Sequence, residues 1–101
     1  MKEMLNDYNE IIKHYGVKYQ MNIWVEELSE LQKVICKWNR QYDKLEGDLT
    51  DELRKDFVEE MADVINCINQ IMILTNIDMN EICDESKRKN KRTIERIKKE
   101  S

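Results

Sequence analysis

Three features of this 101-residue chain predict an all-α fold. Proline is absent and glycine occurs only at Gly16 and Gly47, which leaves little room for tight β-turns. Charged residues make up 38% of the sequence, in a profile that suits helix. Apolar residues recur at steps of three and four along most of the chain. The length allows one domain, residues 1–101. A chain this short buries a limited core alone, so helices that stay apolar over a wide arc point to self-association.

The first element is predicted over residues 3–15, where Leu5, Tyr8, Ile11, Ile12 and Tyr15 fall at helical spacing. Gly16 supplies a left-handed stop. His14, at the end of this helix, reads as a surface or half-buried residue. A second helix is predicted over residues 18–42. Its seam is Met21, Trp24, Leu28, Leu31, Ile35 and Trp38, the pattern of a helix that packs along its length. Residues 43–49 read as a polar connection turning at Gly47.

The third helix is predicted over residues 50–75, capped by Asp48 or Thr50. Phe57, Met61, Val64, Ile65, Ile68, Ile71 and Met72 form its buried stripe, which Asn66 and Asn69 interrupt. Buried amides need partners, so each either ties a neighbouring helix or faces a ligand. After a break at Thr75-Asn76, Asp78 and Glu81 form a capping-box signature for a fourth helix, Met79 to about Lys99. Its apolar side is weak (Ile82, Cys83, Ser86, Ile94, Ile97), and from Lys87 to Lys99 it is strongly basic.

The net charge of −4 argues against non-specific nucleic-acid binding by the whole surface. Cys36, Cys67 and Cys83 are odd in number and widely spaced, with no zinc pattern; they read as reduced, mostly buried thiols of a cytoplasmic protein. The segment Met1 to Asp7 is too polar for a secretory signal, and the longest apolar run, Ile71 to Leu74, is too short to span a bilayer.

The chemistry is carried by two acidic motifs, Glu26-Glu27-Leu28-Ser29-Glu30 and Glu59-Glu60-Met61-Ala62-Asp63. Residues three apart share a helix face, so Glu27 pairs with Glu30 and Glu60 with Asp63. Glu30 lies roughly 18 Å before the end of its helix and Glu60 roughly 15 Å after the start of the next. An antiparallel hairpin therefore brings Glu30 and Glu60 to about the same height. Four converging carboxylates beside apolar stripes call for a hard cation, and Mg²⁺ takes oxygen ligands from carboxylates and phosphates. Trp24 lies one turn before Glu27 and Trp38 two turns past Glu30. Either offers a ring to a base, although aromatics at helical spacing usually belong to the core. Asn66 offers an amide to a base edge.

These residues resemble the MazG-like family of all-α nucleoside triphosphate pyrophosphohydrolases, marked by E-E-x-x-E on one helix and E-x-x-D on the next. Lys89-Asn90-Lys91-Arg92-Thr93-Ile94-Glu95-Arg96-Ile97 is similar to the family's basic ending. The resemblance covers roughly residues 18–97. It implies hydrolysis of a (d)NTP to the monophosphate and pyrophosphate, with Mg²⁺, or Mn²⁺ as a substitute, held by Glu27, Glu30, Glu60 and Asp63. It implies that Glu26 holds a partner helix or a basic side chain and that Glu59 faces solvent. Glu30 is then the candidate general base. Lys89, Arg92 and Arg96 share a face at i, i+3 and i+7 and are candidates for binding phosphate. The helical hairpin is expected to dimerise into a four-helix bundle, with dimers pairing into tetramers in some members, flanked by a short N-terminal helix and a basic C-terminal helix.

Two other readings compete. A di-iron carboxylate bundle needs E-x-x-H on two helices. The chain has one histidine, His14, and Ile11 stands where its glutamate would be. The other is a non-enzymatic helical dimerisation or adaptor module, with surface acids and a basic tail that meets nucleic acid or an acidic partner.

Overall fold

A computed structural model describes residues 2–101 of the chain, with side chains from residue 4 onward. It is all-helical: α1 (Lys2–Tyr15), α2 (Val17–Gln41), α3 (Asp51–Thr75) and α4 (Met79–Glu100). The chain forms two compact units, Met1–Gln70 and Ile71–Ser101. Among the described residues no helix is long and apolar enough to cross a membrane.

The boundaries fall within a residue or two of the expected ones because the punctuation is local. Gly16 has φ 88° and ψ 156°. This is a glycine-only conformation, although an extended one rather than the left-handed helical stop expected. Its N–H closes α1 on the Ile12 carbonyl at 2.8 Å, and its carbonyl accepts from Gln20 N at 3.1 Å to open α2. Between α2 and α3 the chain turns through Gly47 at φ 82°, whose N–H donates to the Tyr42 carbonyl at 2.9 Å. A Cβ at Gly47 would sit 3.2 Å from the Tyr42 hydroxyl. Thr50, rather than Asp48, caps α3: its Oγ1 accepts from Leu53 N at 3.1 Å.

Within the first unit α2 and α3 run antiparallel, and their contacts form rungs. At the open end Gln70 Oε1 accepts from Gln20 Nε2 at 2.9 Å and from Trp24 Nε1 at 2.7 Å. At the turn end Trp38 meets Phe57 edge-on at 5.7 Å, and Lys37 lies 3.7 Å from Glu52. α1 is tied to α3 through Tyr8, whose hydroxyl donates to Asn66 Oδ1 at 2.8 Å and accepts from Asn69 Nδ2 at 3.1 Å. The buried apolar residues are Tyr8, Ile12, Trp24, Leu53 and Cys67, joined by the buried amides Gln20, Asn69 and Gln70.

The expected seam of α2 divides. Trp24, Leu31 and Trp38, spaced by seven, are buried or half-buried, whereas Met21, Leu28 and Ile35, also spaced by seven, are exposed. The stripe of α3 behaves similarly: Phe57 and Val64 are half-buried, while Met61, Ile65 and Ile68 are exposed, along with Val58. The reason is rotation. At about 100° per residue, both exposed stripes lie roughly a quarter-turn past the line of contact between the helices. On antiparallel helices equal offsets fall on the same side, so the hairpin carries one continuous uncovered apolar face. Cysteine burial also departs from expectation: Cys67 is buried, but Cys36 and Cys83 are exposed, and all three are free thiols.

The second unit contains α4, opened by the capping box in full. Asp78 Oδ1 accepts from Glu81 N, and Glu81 Oε2 accepts from Asp78 N, each at 3.0 Å. No residue of α4 is buried, including Ile82, Ile94 and Ile97.

Candidate metal centre

Midway along the hairpin, Glu27 of α2 and Glu60 and Asp63 of α3 each offer a carboxylate oxygen, and all three oxygens lie within 4.8 Å of one another. Glu27 faces inward because it belongs to the contact line of α2, following Gln20 and Trp24 and preceding Leu31. Glu60 and Asp63 take the matching positions of α3, between Leu53 and Cys67. All three acids are half-buried, and Glu60 Oε2 is buried with no hydrogen-bond partner.

The electrostatics follow from this crowding. Loss of water pushes the Glu27 carboxyl up from 4.5 to about 7, helped by a hydrogen bond with Asp63 and by the charges of Asp63, Glu60 and Glu30. Glu60 is raised as well, first by its own desolvation and then by Asp63, Glu30, Glu59 and Asp56. The next inward position of α3 is Cys67, whose thiol burial pushes up to about 11, with the charges of Glu27 and Asp63 adding to the shift. It is a protonated, inert neighbour of the acids.

Sequence spacing suggested four convergent acids, and the structure brings three together. Glu30 is exposed and outside the group; its Oε1 accepts from Lys33 Nζ at 3.0 Å. Three residues rotate a helix by about 300°, so with Glu27 aimed at α3, Glu30 points to the flank. Register does not account for this: the rungs Trp24–Gln70 and Trp38–Phe57 leave Glu30 and Glu60 at about the same height. Glu30 remains near enough for its charge to act on both Glu27 and Glu60.

The other expected site residues are distributed as follows. Glu26 and Glu59 are exposed. Trp24, considered for stacking on a base, is a core residue, 8% exposed with its indole N–H bound to Gln70. Trp38 is half-buried near the hairpin turn, its Nε1 donating to the Asp48 carbonyl at 3.2 Å. Asn66 is exposed overall, but its Oδ1 is taken by Tyr8. Lys89, Arg92 and Arg96 are exposed along α4, in the second unit. The expectations did not include Gln20 and Gln70. The signal for Gln20 was its place in the series 20, 24, 27, 31, 38, where a polar residue keeps the period of the apolar ones.

The donor set suits a hard divalent cation. It consists of carboxylate oxygens from two helices, one of them buried and unpartnered, held close enough to share one ion. No protein-family model matches the chain, and no curated protein or solved structure matches it either.

Proposed function

We propose that this chain is a Mg²⁺-dependent nucleoside triphosphate pyrophosphohydrolase, converting a (d)NTP to the monophosphate and pyrophosphate. The observation that supports it best is the meeting of Glu27, Glu60 and Asp63 within 4.8 Å, against a partnerless Glu60 oxygen. Loss of water and the surrounding carboxylates raise both Glu27 and Glu60, and perturbed acids cluster at functional sites. These three residues would hold Mg²⁺ or Mn²⁺. When bound, the ion supplies charge neutralisation for the triphosphate and a lowered pKa for a bound water.

The protein's own groups then divide the work. Glu27, Glu60 and Asp63 would hold the cation between α2 and α3, where the phosphate chain would bind. Glu30, on the flank and in contact with water, is the candidate base for the attacking water's proton. The uncovered apolar face toward the open end of the hairpin, with Met21, Val25 and Leu28 on α2 and Ile65 and Ile68 on α3, supports pairing with a second copy, whose hairpin would complete a four-helix bundle.

A panel of NTPs and dNTPs with Mg²⁺, read for pyrophosphate release, tests the reaction. Monophosphate and pyrophosphate are the expected products. Release of inorganic phosphate with a nucleoside diphosphate would overturn the reaction class. Absence of turnover, with a helical dimer intact, would leave the adaptor reading.

A further inference from the structure

A second recess lies in the first unit, at the turn end of the hairpin. It is a cleft of about 320 Å³ lined by Trp38, Leu49, Arg54, Phe57, Val58 and Met61. That volume sits at the low end of small-molecule sites, which range over about 300–1,000 Å³. Its walls are aromatic and aliphatic. Trp38 is held in place by Phe57 edge-on at 5.7 Å, by Tyr42 at 5.5 Å and by the hydrogen bond from its Nε1 to the Asp48 carbonyl. The indole is therefore a rigid wall with no free donor of its own. Leu49 and Met61 supply apolar sides.

Arg54 contributes the only charged side chain to this lining. It is exposed and, among the described residues, forms no ion pair. Arginine presents several donors in a plane and no acceptor. Position matters too. Arg54 is six residues, roughly 9 Å, along α3 from Glu60, and Phe57 is three residues, roughly 4.5 Å, from it. Met61 lines the cleft beside Glu60 in sequence. Along the helix axis that rise is within the reach of a ribose and its 5′ phosphate.

We infer that the Trp38–Phe57–Arg54 cleft receives the base of the nucleotide, and that it selects a keto-purine such as guanine or hypoxanthine. The inference rests on the nucleotide reading of the acidic centre and adds the identity of the base to it. A flat ring fills an aromatic-walled slot by stacking and area burial. The donor-only guanidinium matches the O6 and N7 acceptors that guanine and hypoxanthine present on one edge. Adenine offers N7 beside an N6 amino group, and two donors then face each other.

The test pairs binding with turnover. GMP and AMP are titrated without Mg²⁺ while NMR follows the Trp38 indole N–H and the Met61 methyl. GTP, ITP and ATP are compared as substrates of the wild type and of Arg54→Gln. GMP is expected to shift both resonances more than AMP does. Arg54→Gln is expected to raise KM for GTP about fivefold or more, with a smaller change in kcat, the scale of one lost base contact. Turnover of NTPs with no shift at Trp38 or Met61 overturns the subsite and leaves the pyrophosphohydrolase standing. GMP-selective shifts without turnover of any NTP uphold the base site and overturn the reaction. ATP used as well as GTP, with Arg54→Gln silent, overturns the keto-purine selection.

Discussion

Trp24 donates its indole N–H to Gln70 Oε1 at 2.7 Å, across the interface between α2 and α3. The same oxygen accepts from Gln20 Nε2 at 2.9 Å. Both donors are buried, so one acceptor satisfies two groups that would otherwise lose water without compensation. The link lies a turn of α2 before Glu27 and fixes the rotation that aims Glu27 at α3. Gln70→Met keeps the volume and removes the acceptor. It is expected to cost about 2–4 kcal/mol, the penalty for two stranded buried donors, read by urea unfolding. Stability equal to wild type would show that the link does not hold the two helices in register.

The acidic centre gives an inverted stability signature. Removing one of several crowded carboxylates relieves repulsion, so Asp63→Asn is expected to stabilise the metal-free protein by about 1 kcal/mol. Saturating Mg²⁺ raises the Tm of the wild type, because a cation that binds only the folded state stabilises it by mass action. In Asp63→Asn that rise is expected to shrink severely, and turnover to be lost. A variant less stable than wild type in chelator, with an undiminished response to Mg²⁺, would remove Asp63 from the site.

The pH dependence has a definite sign. Glu27 moves from 4.5 to about 7 on folding, so between those values the folded state holds a proton that the unfolded chain has released. Stability of the metal-free protein is therefore expected to fall as pH rises from about 4.5 to about 7, and this contribution to level off above. Mg²⁺ must displace the same proton, so its affinity is expected to increase across pH 7. Thermal melts in chelator and in Mg²⁺, from pH 5 to 8.5, check both trends. A metal-free profile that climbs over this range would mean that Glu27 is not crowded as described.

The helices and the acids were legible in the sequence because their signals are local. Gly16, Gly47 and the Asp78–Glu81 box each set a boundary by backbone chemistry that needs no partner. The rotation of each helix was not legible. An apolar period shows that α2 has an apolar arc from Met21 to Trp38, yet the arc is wide enough for two neighbours, and periodicity does not say which one covers which part. Trp24, Leu31 and Trp38 turn inward while Met21, Leu28 and Ile35 turn out, and that choice decides that Glu27 rather than Glu30 joins Glu60 and Asp63. Gln20 and Gln70 escaped notice because polar side chains are ordinarily read as surface; they are buried here because Gln70 Oε1 accepts from both Gln20 Nε2 and Trp24 Nε1.

The apolar face of the hairpin lies open to water in the single chain. Val25 is 68% and Ile65 52% exposed in the single chain. In a lone hairpin, Val25→Glu and Ile65→Glu replace apolar surface by charge where water already reaches, and such changes fall within about 0.5 kcal/mol. If a second copy covers this face, each substitution instead places a carboxylate in a dry interface, where an unpaired charge is costly. The wild type is then expected to sediment as a dimer with a concentration-dependent Tm, and either variant as a monomer with a lower one. Sedimentation velocity distinguishes the cases directly. A wild type that is monomeric at all concentrations, with both variants equally stable, would mean that no second hairpin covers the stripe.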